Sequence, residues 1–331
     1  MRVLLTFDYE LFFGTDTGTV EACMIEPADL LLGLCRKHAV RMTFFVDVGY
    51  LVRMEHYAPQ FPQLARDLKL VKAQIADMIA LDCSVQLHIH PHWEQSVFDG
   101  QQWTIVTDGC YKLDDFPDAE IDRIVTAYHG YLSALTGKPV QSFRAGGWCI
   151  QPFSRLAKVF AELGIVCDSS VFPGGKFQSP HYDFDFTAVP RFSDDYRFED
   201  DVCQPVPNGR FTEIPIASWR YSPLFYWKLY AWGRLSPARH KMMGDGSFLA
   251  QPGRKRSVLT NFTWNHVSSD GFYAGMLRKQ AQAYDRKGIE HFVVIGHPKG
   301  LTVYAVEQLE AFIHSAKNKY AFLSFSDLQW S

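Results

Sequence analysis

The chain opens Arg2-Val3-Leu4-Leu5-Thr6-Phe7-Asp8-Tyr9-Glu10, a short apolar run that ends in two acids. It predicts a buried strand, and eight similar runs follow: Arg41–Val46, Ser84–His90, Val140–Arg144, Ile165–Cys167, Thr212–Ile216, Val258–Trp264, His291–Ile295 and Ala321–Phe325. Between many of them lie helical periodicities, at Pro27–His38, Phe61–Ala80, Asp118–Thr136, Pro152–Leu163, Ala274–Lys287 and Val303–Ala316. Strands that alternate with helices of this length imply βα units on a parallel sheet. With this many units, closure into a barrel is expected over an open sheet. The stretch 175–255 breaks the alternation with Pro, Gly and the aromatic series Trp219–Trp232, and reads as an aromatic-rich insertion. The whole of 1–331 is therefore expected to be one barrel domain, with no glycine-rich nucleotide loop and no Gly-x-Ser-x-Gly elbow.

Composition narrows the class. Apolar residues are 47% and charged residues 21% of 331, the balance of an ordinary globular domain. A net charge of −3 gives no reason to expect nucleic acid. Seven dispersed Cys without Cys-x-x-Cys spacing read as reduced thiols. No apolar run reaches the roughly 18 residues of a membrane span. No export signal precedes the first strand, so the expected location is cytoplasmic.

Alternation along a strand puts Asp8 and Glu10 on one face and Tyr9 on the other. Paired carboxylates repel unless a cation or a proton lies between them. The third run continues Leu87-His88-Ile89-His90-Pro91-His92-Trp93, and three imidazoles in five residues suit a metal. A pair four apart, His88 and His92, can converge where Pro91 bends the chain. Arg144, Asp168 and His297 each follow an apolar run, where barrel enzymes carry their catalytic groups.

In this order the segments resemble the NodB-homology polysaccharide deacetylases, carbohydrate esterase family 4. Thr6-Phe7-Asp8 is similar to the family's first motif, His88–His92 to its His-x-x-x-His, Arg144 to its third-motif Arg, and Ile295-Gly296-His297 to its closing Leu-x-His. Tyr9 separates two acids that the family usually has adjacent, and Phe172 stands where many members have Trp. The resemblance implies an α/β fold, a distorted (β/α)7 TIM-like barrel, and hydrolysis of an N-acyl group, usually acetyl, on an amino sugar. It implies a divalent metal, zinc first, on Glu10, His88 and His92. Asp8 would act as base, His297 as acid, with Arg144 beside Asp8 and Asp168 beside His297. A backbone N–H near Tyr9 would help hold the oxyanion, and Trp93, Trp148 and Phe172 would wall the substrate. The expected substrate is a glycan such as O-antigen or its nucleotide- or lipid-linked precursor. Trp219–Trp232 would cover the site, pair subunits or touch a membrane surface. Two other readings stay open: a metal amidohydrolase on a non-sugar amide, and a non-catalytic carbohydrate-binding barrel.

Overall fold

A computed structural model describes the chain apart from Ala250, Pro252, Trp330 and Ser331; the expected 175–255 insertion includes the first two of these and the expected 1–331 domain all of them. A nine-stranded, largely parallel sheet forms the centre of a mixed α/β structure. The first strand, Arg2–Tyr9, is buried from Val3 onward on both faces, which is why it reads as a continuous apolar run. It lies parallel to His291–Gly296 on one side and to Thr43–Asp47 on the other. The sheet then continues through Ser84–Ile89, Ser142–Ala145, Cys167–Asp168 and Phe211–Glu213, and ends on the antiparallel strand Tyr196–Phe198. Beyond Phe211–Glu213 the chain curls back to the far edge. Ile216 forms a parallel bridge with Val293, and Ser268 forms another with Ile295.

The register sets the site. Asp47, His88 and Arg144 lie level on three adjacent strands. Gly296 is level with Phe7, so His297 and Asp8 follow at the same end of the sheet. Helices flank the sheet, and Asp118–Thr136 and Val303–Ala316 have the limits expected from periodicity. Gly137, at φ 58°, stops the first in the left-handed conformation. The Thr302 hydroxyl caps the second by accepting from Ala305 N–H.

Four stretches differ from expectation. Val48–Tyr57 is a helix hidden by its β-branched and aromatic residues, and Gly49 lets it pack tightly, since a Cβ there would sit 3.0 Å from the Trp93 side chain. Pro152–Leu163 is helical only over Ala157–Leu163. The run Val258–Trp264 divides into a helix, Arg254–Thr260, and a strand, Thr263–His266, because Val258 turns inward against Tyr221 and Tyr226. Within 175–255, Phe211–Glu213 belongs to the main sheet, and Pro223–Leu235 is a helix rather than loop.

Candidate active site

Asp8 and Glu10 meet five basic side chains at the C-terminal ends of the parallel strands. Glu10 is buried, and its Oε2 lies 3.0 Å from His88 Nε2 and 2.8 Å from His90 Nε2. Its Oε1 accepts from Lys299 Nζ at 2.8 Å, and the same ammonium also donates to the Leu11 carbonyl, above the rings of Phe12 and Phe13. Burial would push the Glu10 carboxyl up, but Lys299, His90 and His88 outweigh it and hold it well below the usual range.

The tautomer of His88 is decided by its other nitrogen. Nδ1 lies 2.8 Å from the Arg144 carbonyl, which can only accept, so Nδ1 carries a proton. In a neutral ring Nε2 then presents a lone pair to a carboxylate oxygen at 3.0 Å. That contact needs a proton or a metal ion between the two atoms. Burial opposes the charged ring, yet the Asp8, Glu10 and Asp47 carboxylates lift the His88 pKa to about 9. For His90, burial wins over Glu10 and pulls the pKa down to about 4. Glu10, His88 and His90 offer ligand atoms all within 4.8 Å of one another.

His92 is not in that trio. Its ring is fully buried beside Phe13, Trp93, His90 and Tyr111, and neither nitrogen has a hydrogen-bond partner. Two imidazoles and a carboxylate, with a third unpartnered imidazole behind them, form a donor set that suits a divalent cation.

Asp8 accepts from Arg144 Nη1 at 2.7 Å. The guanidinium has no exposed surface. It also donates to Thr6 Oγ1, to the Ser169 carbonyl and to Ser169 Oγ, and lies 4.1 Å above the Phe45 ring. Across the site, His297 Nε2 faces Asp8 Oδ2 at 3.7 Å and Glu10 Oε1 at 3.9 Å. Its Nδ1 lies 2.7 Å from Asp270 Oδ2. Burial lowers the His297 pKa, but Asp270, Asp8 and Glu10 outweigh it and leave it raised.

The carboxylate beside His297 is thus that of Asp270, where Asp168 was expected. Asp168 instead accepts from Ser170 N–H and Oγ and lies level with Glu213 on the next strand. The chain reaches His297 from the segment after Thr263–His266, where Ser268 bridges Ile295. Trp93 is fully buried, with its indole N–H on Asp47 at 2.6 Å, so it packs the interior rather than a substrate wall. The Tyr9 hydroxyl donates to Gln74 on the opposite face of its strand, as alternation requires. Trp148 is half-buried and Phe172 buried, and both pack on His266. Asp270, Lys299 and His266 are additions that single-residue reading missed. Lys299 stands two residues after His297, and Asp270 in a Ser-Ser-Asp-Gly turn, the only signals for them.

The sequence matches no family model, and no curated protein matches it. Solved structures do resemble it. A "putative polysaccharide deacetylase" from Mycobacterium smegmatis is 16% identical over 98% of this chain and 87% of that one, with a TM-score of 0.52. The catalytic domain of peptidoglycan N-acetylglucosamine deacetylase from Eubacterium rectale is 15% identical over 98% of this chain and 88% of that one, with a TM-score of 0.41. The first likeness shows a shared fold.

Proposed function

We propose that this chain is a metal-dependent hydrolase that removes an N-acyl group, acetyl first, from an amino sugar. The observation that carries the reading is the convergence of Asp8 on Arg144, Glu10 on His88 and His90, and His297 on Asp270 in one buried mouth. The deacetylase description of the M. smegmatis structure of like fold supports it. The same reading takes the curled sheet as the seven-repeat barrel of that family. A glycan such as O-antigen, or its activated precursor, is the substrate class.

Glu10, His88 and His90 would hold the cation, with zinc favoured by the ligand types. When bound, it supplies Lewis-acid polarisation of the amide carbonyl and an activated water. Asp8 accepts a proton on the oxygen that faces His297, while Arg144 Nη1 holds its other oxygen in place. His297 Nε2 donates to the departing amine, which cannot leave as an amide anion. Asp270 holds the ring by Nδ1 so that Nε2 points inward.

Purified protein loaded with zinc is to be assayed for free amine and acetate on N-acetyl amino sugars and on N-acetyl amino acids. Release from the sugars alone is expected. No release from any substrate, or equal release from both classes, overturns the reading.

A further inference from the structure

The helix Pro223–Leu235 is apolar on the face it buries and on the face it shows. Phe225, Tyr226 and Tyr230 turn inward and pack with Tyr221, Val258 and Tyr273 in a small cluster separate from the main core. Leu224, Trp227, Ala231 and Leu235 recur three and four residues apart, so they line one exposed side. Leu224 is 62%, Trp227 58% and Leu235 76% exposed. Exposed Lys228 and Arg234 border this stripe at helical spacing, one on either flank. A surface helix of a globular domain normally puts polar residues on its outer side, and one that is apolar all round has a further apolar phase to meet.

Charge decides which phase. Residues 222–262 contain seven Lys and Arg against a single acid, Asp245. That is +6 in a chain whose total is −3, leaving −9 on the rest. A second copy docked stripe to stripe would oppose two cationic surfaces, which disfavours self-association. At 13 residues the helix is too short to span a bilayer, and no helix among the described residues is long and apolar enough to do so. A helix with exposed Trp and Leu, bordered by basic residues, suits the interfacial plane of an anionic bilayer.

We propose that Pro223–Leu235 and the cationic segment around it dock on the surface of an anionic lipid bilayer, with Leu224, Trp227 and Leu235 entering the headgroup layer. This goes beyond the hydrolase reading and stands whatever reaction the site performs. The segment is also tied to the site. Gly244 N–H donates to the Lys299 carbonyl at 3.1 Å and Met243 N–H to the Leu301 carbonyl at 2.8 Å. Phe248 packs edge-on against Phe12, whose ring faces the Lys299 ammonium. Docking therefore brings the mouth to the bilayer.

The test is co-sedimentation of the full chain with phosphatidylcholine vesicles and with vesicles that also contain phosphatidylglycerol. Binding to the second set only is expected. It should weaken as salt rises, because the screening length falls from about 10 Å at 0.1 M to about 3 Å at 1 M. Trp227→Ser with Leu235→Ser should cut binding at least about tenfold. Arg234→Gln with Arg256→Gln should cut it about fivefold per charge removed. All four residues are exposed, so melting temperature should hold within a few degrees and report intact folding. No binding to anionic vesicles, or equal binding by wild type and the Trp227/Leu235 variant, overturns the proposal. So does a dimer in solution that the same variant dissociates, if lipid binding is absent.

Discussion

Asp270 grips His297 at two points: Oδ2 lies 2.7 Å from the ring Nδ1, and Oδ1 accepts the backbone N–H at 2.8 Å. A carboxylate accepts only, so it fixes Nδ1 as the protonated nitrogen and leaves Nε2 for the reacting group. His297→Ala should lower turnover on amides by a general-acid factor of about 10²–10⁴. An activated ester needs no proton on its leaving group and should lose much less. Equal losses on the two substrates would remove the general-acid role.

The same contact has a pH signature. A general acid works below its pKa, and the Asp270 charge helps to raise that of His297 against burial. Asp270→Asn should therefore move the alkaline limb of kcat to lower pH. An unshifted limb would show that another group governs it.

Metal content separates the imidazoles. Glu10→Gln, His88→Ala and His90→Ala should each reduce zinc retained through dialysis, by analogy with the roughly 10–100-fold losses seen even for outer ligand-positioning groups. His92→Ala should retain more zinc than His90→Ala, because His92 stands outside the trio. The reverse order would restore the pairing suggested by the His-x-x-x-His spacing.

Gly146 offers a gentler probe. A Cβ there would sit 2.6 Å from His90 Nδ1 and 2.6 Å from the Ile89 carbonyl, so Gly146→Ala must displace the His90 ring or the strand end. Zinc retention and turnover should fall together. Gly130 lies mid-helix in open space, and Gly130→Ala should instead add about 0.5–1 kcal/mol of stability by thermal melting, with activity unchanged.

Asp168 and Glu213 lie level on adjacent strands, both buried, and two buried carboxylates side by side repel unless one of them holds a proton. Burial first, then Asp168, raises Glu213 well above its ordinary 4.5. The folded state therefore binds more protons than the unfolded one. Stability from this pair is full below that ordinary value and is lost as pH rises through the folded pKa. Glu213→Gln keeps the shape without the titrating proton, so its melting temperature should fall less than wild type as pH rises above 4.5. Parallel curves would place the proton elsewhere.

Much of this site can be read from alternation alone. Asp8 and Glu10 are two apart on a strand and share a face, and the same rule applied to His88 and His90 selects the observed pair. His90 keeps an extended backbone, with φ −110° and ψ 98°, and only at Pro91 does the chain enter the turn that carries His92. Asp270 was harder to see because its segment meets the sheet through one bridge, Ser268 to Ile295, rather than through a regular strand. The helix Pro223–Leu235 was obscured because its apolar residues surround it, so no single stripe marks a buried face.

Arg144 joins its own strand to Thr6 and Asp8 on the first and to Ser169, and its carbonyl holds His88 on a third. Thr6 in turn donates to Val294. These side chains are therefore part of the interior that must open for the protein to unfold, and the amides of their residues should exchange with solvent only on that timescale. Adaptation to a new substrate then falls to the segments around the mouth, where Gly14–Thr19 meets Asp245–Ser247 through bonds that touch no strand. Those loops can be exchanged between relatives while the reaction they serve stays the same.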